Sequence, residues 1–252
     1  MSRVYENPPI VEAVCEFRFQ PSQTWDWTIP GLVYDKVKHQ FPQKRQQAAV
    51  QVELRAEEEK FAQSVRPGVV RMQFVREDGR ALIQVGPNLL SVNHLKPYPK
   101  WGVFKHMIHQ ALEVYWQVTS PQSFRRIGLR YINRIEMPAN QVKIEDYLLS
   151  VPTVPKAAPQ TFAGWAQRVE IPFENMNGML VLQSGNLHEE GQMGIVFLLD
   201  LDFITLRADR VTSDSAAEWV ERAHSEVEST FEACVTDKAR ELFGDVKGDF
   251  VP

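Results

Sequence analysis

Alternation of apolar and polar residues, repeated in run after run with few helical stretches between, is the feature that most constrains this chain. Residues 11–19 place Val11, Ala13, Cys15, Phe17 and Phe19 on one side and Glu12, Glu16 and Arg18 on the other. That is the period of a strand with one buried face. The same period returns near 48–56, 68–76, 80–86 and 89–94, and again at 124–137, 165–173, 178–184 and 193–206. Asp78-Gly79 marks a tight hairpin between two of these runs, because both centre positions of such a turn favour φ > 0.

Helical spacing interrupts the alternation at few places. Pro30, with Leu32, Val33 and Val37 and the closing Phe41-Pro42, reads as a short amphipathic helix. A second helix from about Lys100 to Val118 carries Val103, Phe104, Ile108, Leu112 and Tyr115 at helical spacing and ends at Ser120-Pro121. Ile144 to Leu149 makes a short helix, and the longest spans about 214–243, opened by Ser213 or Asp214 and closed by Gly244. Consecutive strands between helices mean antiparallel sheet. The expected fold class is α+β, an antiparallel sheet covered on one face by helices, with the other face left for solvent or a ligand.

Each half reads in the order strand, helix, three or four strands, helix, which predicts an internal duplication. The halves are 1–120 and 121–252, folded as one globular unit. The Pro-rich stretch 151–159 falls inside the second half and reads as a surface loop.

At 252 residues the chain buries a self-sufficient core without disulfide or metal staples. The formal charge of −4 gives no whole-molecule attraction to nucleic acid or anionic lipid. Cys15 and Cys234 are far apart and lack the CxxC spacing of metal or redox sites. The first nine residues have no apolar signal-peptide core, and the most hydrophobic stretch, Ile195 to Leu206, is broken by Asp200 and Asp202. The expected location is the cytoplasm. No phosphate-binding glycine loop, nucleophile elbow or HExxH occurs, so no cofactor is implied.

Five segments taken together carry a resemblance: residues 7–19, 86–93, 126–134, 198–203 and 223–243. They resemble a family of bacterial and archaeal proteins of about this length, described as uncharacterised and sporadically distributed. The likeness covers nearly the whole chain, and Gly128-Leu-Arg-Tyr-Ile-Asn-Arg134 is its most specific piece. It implies no activity and no catalytic residue. Patchy distribution implies a role linked to mobile elements or defence.

The strongest local chemistry lies on the strand at 124–137. Opposite Ile127, Leu129, Tyr131 and Ile135 it carries Arg126, Arg130 and Arg134, which alternation places on one side. With Arg18 and Arg71 on the same open face, these arginines would form a basic stripe suited to phosphate or carboxylate. The competing reading is cross-strand pairing with Glu12, Glu16, Glu136, Asp200 and Asp202. Asp200 and Asp202 share a face and are candidates for a divalent ion or proton transfer, though a hard cation needs several more oxygen ligands. His106, His109 and Glu113 share a helix side but match no zinc signature. His224 reads as a half-buried packing residue and His188-Glu189-Glu190 as a hairpin loop. Trp25-Asp-Trp27 reads either as tucked onto its own domain or as a partner-binding knob.

The expected function is a non-enzymatic binding module presenting the arginine face to a protein partner or a small anionic ligand. The alternative is a metal-assisted enzyme acting on a phosphate-containing substrate. A nucleic-acid binder ranks below both, because Tyr131, the aromatic between Arg126 and Arg134, falls on the opposite face. A homodimer is compatible with the sequence, which points to no surface for it.

Overall fold

A computed structural model describes residues 3–22, 24–57, 60–137, 143–159, 164–187 and 195–244, with side chains throughout except at 48–57 and 60–70. The elements, in order, are β1 (Ile10–Gln20), α1 (Ile29–Val37), β2 (Gln43–Glu57), β3 (Lys60–Val75), β4 (Ala81–Gly86), β5 (Leu89–Leu95), α2 (Trp101–Thr119), β6 (Ser123–Glu136), β7 (Ala166–Phe173), β8 (Gly178–Leu187), β9 (Val196–Thr205), α3 (Ser213–Cys234) and α4 (Asp237–Leu242). Among the described residues nine antiparallel strands and four helices make the fold α+β. The chain divides into two compact units. One unit holds residues 15–94 and 100–127, and the other holds 1–14, 95–99 and 128–252.

In the 15–94 and 100–127 unit the strands run in the order β2-β3-β4-β5-β1. Alternation in β1 buries Cys15, Phe17 and Phe19 and leaves Arg18 exposed. Phe19 stacks on Tyr115 of α2 at 4.6 Å, and Tyr34 of α1 meets Phe74 of β3 at 5.3 Å. Helix α2 buries Phe104, Met107, Ile108, Ala111 and Tyr115. Val103 and Leu32, both expected to face inward, are each 54% exposed. Each sits one residue before the buried stripe of its helix, where a rotation of about 100° per residue carries it to solvent.

The β3–β4 turn differs from the expected geometry. Only Gly79 has positive φ (72°), and its N–H donates to the Arg76 carbonyl. Asp78 instead uses its side chain, accepting from the Arg76 guanidinium and the Arg80 N–H. On the β3–β4–β5 surface opposite Phe74 and Ile83 runs a chain of amides. Gln73 donates to Gln47 and Gln84, Gln84 donates to Asn93, and Ser91 donates to the same Asn93 oxygen. Gln84, Ser91 and Asn93 are all buried, so each bond offsets a desolvation cost that an orphaned amide would incur.

In the other unit the order is β6-β9-β8-β7. The expected single helix over 214–243 is two helices. Thr212, not Ser213 or Asp214, caps α3 in a reciprocal box with Ser215. At Val235 the backbone turns extended to bridge Leu148, and Thr236 caps α4. The bonds Leu149 N–H to Cys234 O and Thr236 N–H to Tyr147 O replace the helical ones lost there. The predicted helix at Ile144–Leu149 is a single 3-10 turn, Ile144–Asp146. Val235, Ala239 and Phe243 close a cluster with Ile135, Leu148 and Phe197. The same end ties back to the start of β1, where the Glu6 and Asn7 N–H groups donate to Gly244 and Phe243 carbonyls. Among the described residues no helix is long and apolar enough to cross a membrane.

Candidate functional site

Cross-strand register builds the candidate face in the unit that holds residues 128–252. Arg130 lies opposite Asp202, which lies opposite Val181, which lies opposite Glu170. The next row is Ile132, Asp200, Gln183 and Arg168, and the next is Arg134, Leu198, Gly185 and Ala166. Strand alternation puts these three rows on one side. The opposite side of β6 and β9 carries Tyr131 and Phe203, whose rings meet His224 and Trp219 of α3 at 5.8 Å each.

Asp200 is the centre of the face. Arg130 Nε donates to its Oδ1 at 2.8 Å, Arg130 Nη2 donates to Oδ2, and Gln183 Nε2 reaches Oδ2 at 3.4 Å. The Asp200 side chain is 4% exposed while that of Arg130 keeps 43%. The forked guanidinium therefore hides the carboxylate and keeps one edge toward solvent. The hydrogen bond that Arg130 donates to Asp200 raises its guanidinium above the ordinary pKa, with Asp202 and Glu12 adding to the field. Arg134 pairs with Glu136 on its own strand at 3.0 Å.

The remaining arginines belong to the other unit. Arg18 and Arg126 both donate to the Glu16 Oε1, at 2.8 and 2.9 Å. Phe124 joins Phe17 and Phe19 while Arg126, two residues later, meets Glu16 on the other side of β1. The alternation of β6 is therefore interrupted between Phe124 and Ile127, as its burial pattern also shows. Arg71 is half-buried, and its Nε has no hydrogen-bond partner among the described residues. The five arginines are thus divided between two units: Arg126 and Arg130 make cross-strand pairs, while Arg18 and Arg134 pair within their own strands.

Other candidates fall as follows. Among the described residues no three His, Cys, Asp or Glu side chains gather to hold a metal; His106 and Glu113 are exposed. His188-Glu189-Glu190 lies outside the described residues. Trp25 and Trp27 meet edge to face at 6.0 Å, Trp25 half-buried and Trp27 57% exposed. Tyr131, read as apolar lining, is the middle of a hydroxyl chain, with its Oη 2.9 Å from Tyr98 Oη and 3.2 Å from His224 Nδ1. Burial pushes the Tyr98 phenol above its ordinary range. Sequence reasoning missed Gln183 and this chain alike. Gln183 sits on β8 at the position register places beside Asp200, and no local spacing signals that.

Comparison of the chain with protein-family models, curated proteins and solved structures finds no match.

Proposed function

We propose that this chain is a non-enzymatic binding module whose sheet face around Arg130, Asp200 and Gln183 receives a protein partner. The observation that carries the reading is the forked Arg130–Asp200 pair, which holds a half-exposed guanidinium in one pose over a buried carboxylate. A prealigned donor of this kind loses little side-chain freedom on association. Charge balance favours a protein over a free anion. The three guanidinium groups of Arg130, Arg134 and Arg168 stand against the five carboxylates of Asp200, Asp202, Glu12, Glu136 and Glu170. A mixed-sign surface suits a complementary mixed surface and repels a phosphate. The metal-assisted alternative rests on Asp200 and Asp202, and among the described residues no three His, Cys, Asp or Glu side chains gather to hold a metal.

The wider reading includes the internal duplication, helices on one face of the sheet in each half, a cytoplasmic location, and membership of the sporadically distributed family with its mobile-element or defence linkage. Connectivity supports the duplication. In one unit β1 is followed outward by β5, β4, β3 and β2, and in the other β6 is followed outward by β9, β8 and β7. Each unit thus pairs its first strand with the last of its run.

Affinity capture from a native lysate, run in parallel on the natural chain and on a folded Arg130→Glu variant, tests the binding face. A partner retained by the first and lost by the second supports it. Equal capture by both, or thermal stabilisation by phosphate or divalent ions in place of any partner, overturns it.

A further inference from the structure

Strand β7 ends the sheet order in its unit and, among the described residues, pairs on one side only, with β8. The Asn186 N–H donates to the Trp165 carbonyl, so Trp165 is bonded toward β8. Strand alternation then turns the main-chain groups of Gln167, Val169, Ile171 and Phe173 the same way. Those of Ala166, Arg168, Glu170 and Pro172 point outward. Pro172 fits this parity, since the one residue without an N–H occupies an outward position. Ala166, Arg168, Val169, Glu170 and Pro172 are all exposed. Among the described residues no backbone bond meets the outward side of the strand.

We propose that β7 is a homodimerisation edge, on which a second copy of this chain pairs antiparallel about a two-fold axis through Val169. In that register Arg168 of each copy lies directly opposite Glu170 of the other, and Val169, 44% exposed, meets its own counterpart. The outward N–H and C=O of Arg168 and Glu170 exchange hydrogen bonds with their opposites, and the Ala166 N–H reaches the Pro172 carbonyl. Charge selects this register from its neighbours. A two-fold through residue 168 would set Arg168 against itself, and one through residue 170 would set Glu170 against itself, each a like-charge pair in direct opposition. Charged edge residues commonly repel added strands. Here their alternating sign repels the shifted registers and attracts in the one centred on Val169. The contact is isologous, so it closes at two copies. Arg168 and Glu170 stand at the outer end of the rows that carry Arg130 and Asp200, and the strand pairing itself uses only β7.

Sedimentation equilibrium over roughly 1–500 µM tests the proposal, the range in which an interface below standard size dissociates. Arg168→Glu and Glu170→Arg, each checked for native circular dichroism, place like charges opposite one another when alone. Each should weaken self-association at least about tenfold. Mixed together they restore complementarity and should dimerise with each other, as should the double exchange Arg168→Glu/Glu170→Arg with itself. A natural chain that stays monomeric throughout overturns the proposal. So do single variants that associate as tightly as the natural chain, or a mixture no tighter than its components.

Discussion

Arg130 covers the Asp200 carboxylate with two hydrogen bonds, from Nε and Nη2, leaving 4% of that side chain exposed while keeping 43% of its own. Removing the guanidinium would leave a carboxylate with Gln183 as its remaining side-chain donor. Arg130→Ala should therefore cost about 1–3 kcal/mol, the range for a buried polar group deprived of its partner. Arg134→Ala, whose partner Glu136 is 62% exposed, should cost under about 1 kcal/mol. Urea denaturation of both variants decides, and equal costs would show that Asp200 is adequately hydrated without Arg130.

Gly178 has no room for a methyl group. A Cβ built there would stand 2.4 Å from Cε1 and 2.7 Å from Cζ of Phe203. That ring is fully buried between Phe173 and Trp219 and has nowhere to move. Gly178→Ala should destabilise by about 1–3 kcal/mol, the usual cost of overfilling a core. A midpoint unchanged from the natural chain in urea would show that β8 shifts freely.

Acid stability should carry a contribution from the β3–β4 turn. The Arg76 guanidinium, then the Arg80 N–H, lower the Asp78 carboxyl from 3.8 to about 2. A carboxyl depressed by folding stabilises fully above its unfolded pKa, and that contribution is lost as pH falls through the folded value. The stability gap between the natural chain and Asp78→Asn should therefore be constant above pH 3.8 and shrink toward pH 2. Urea midpoints at successive pH values measure it, and a gap independent of pH would remove Asp78 from the acid limb.

The thiols should be silent in the folded state. Neither cysteine is in a disulfide, both are buried, and burial pushes the Cys234 thiol up to about 11. Reactivity follows the exposed thiolate. A disulfide-exchange reagent at neutral pH should label neither cysteine natively and both in denaturant. Rapid native labelling of Cys234 would indicate local opening at the α3–α4 junction.

Strand positions and their buried sides were legible because period-two alternation is a local signal. Cys15, Phe17 and Phe19, and Leu129, Tyr131 and Ile135, are buried as their spacing predicts. Features fixed by distant residues were not. The break at Val235 depends on Leu148, nearly ninety positions earlier, and no propensity inside the helix announces it. The interruption of β6 between Phe124 and Ile127 depends on what β1 presents beside it. At the site, Arg130 and the aspartates could be placed on one side from alternation, but the choice of Asp200 over Asp202 as the forked partner rests on diagonal reach between strands. Gln183 required the register of a strand whose order could not be read locally.

The two backbone bonds that fasten Glu6 and Asn7 to Gly244 and Phe243 also constrain how the molecule comes into being. Residues ahead of β1 leave the ribosome well over two hundred positions before their partners do. The 128–252 unit must therefore finish assembling after translation has passed α4, with the opening segment waiting untethered until then.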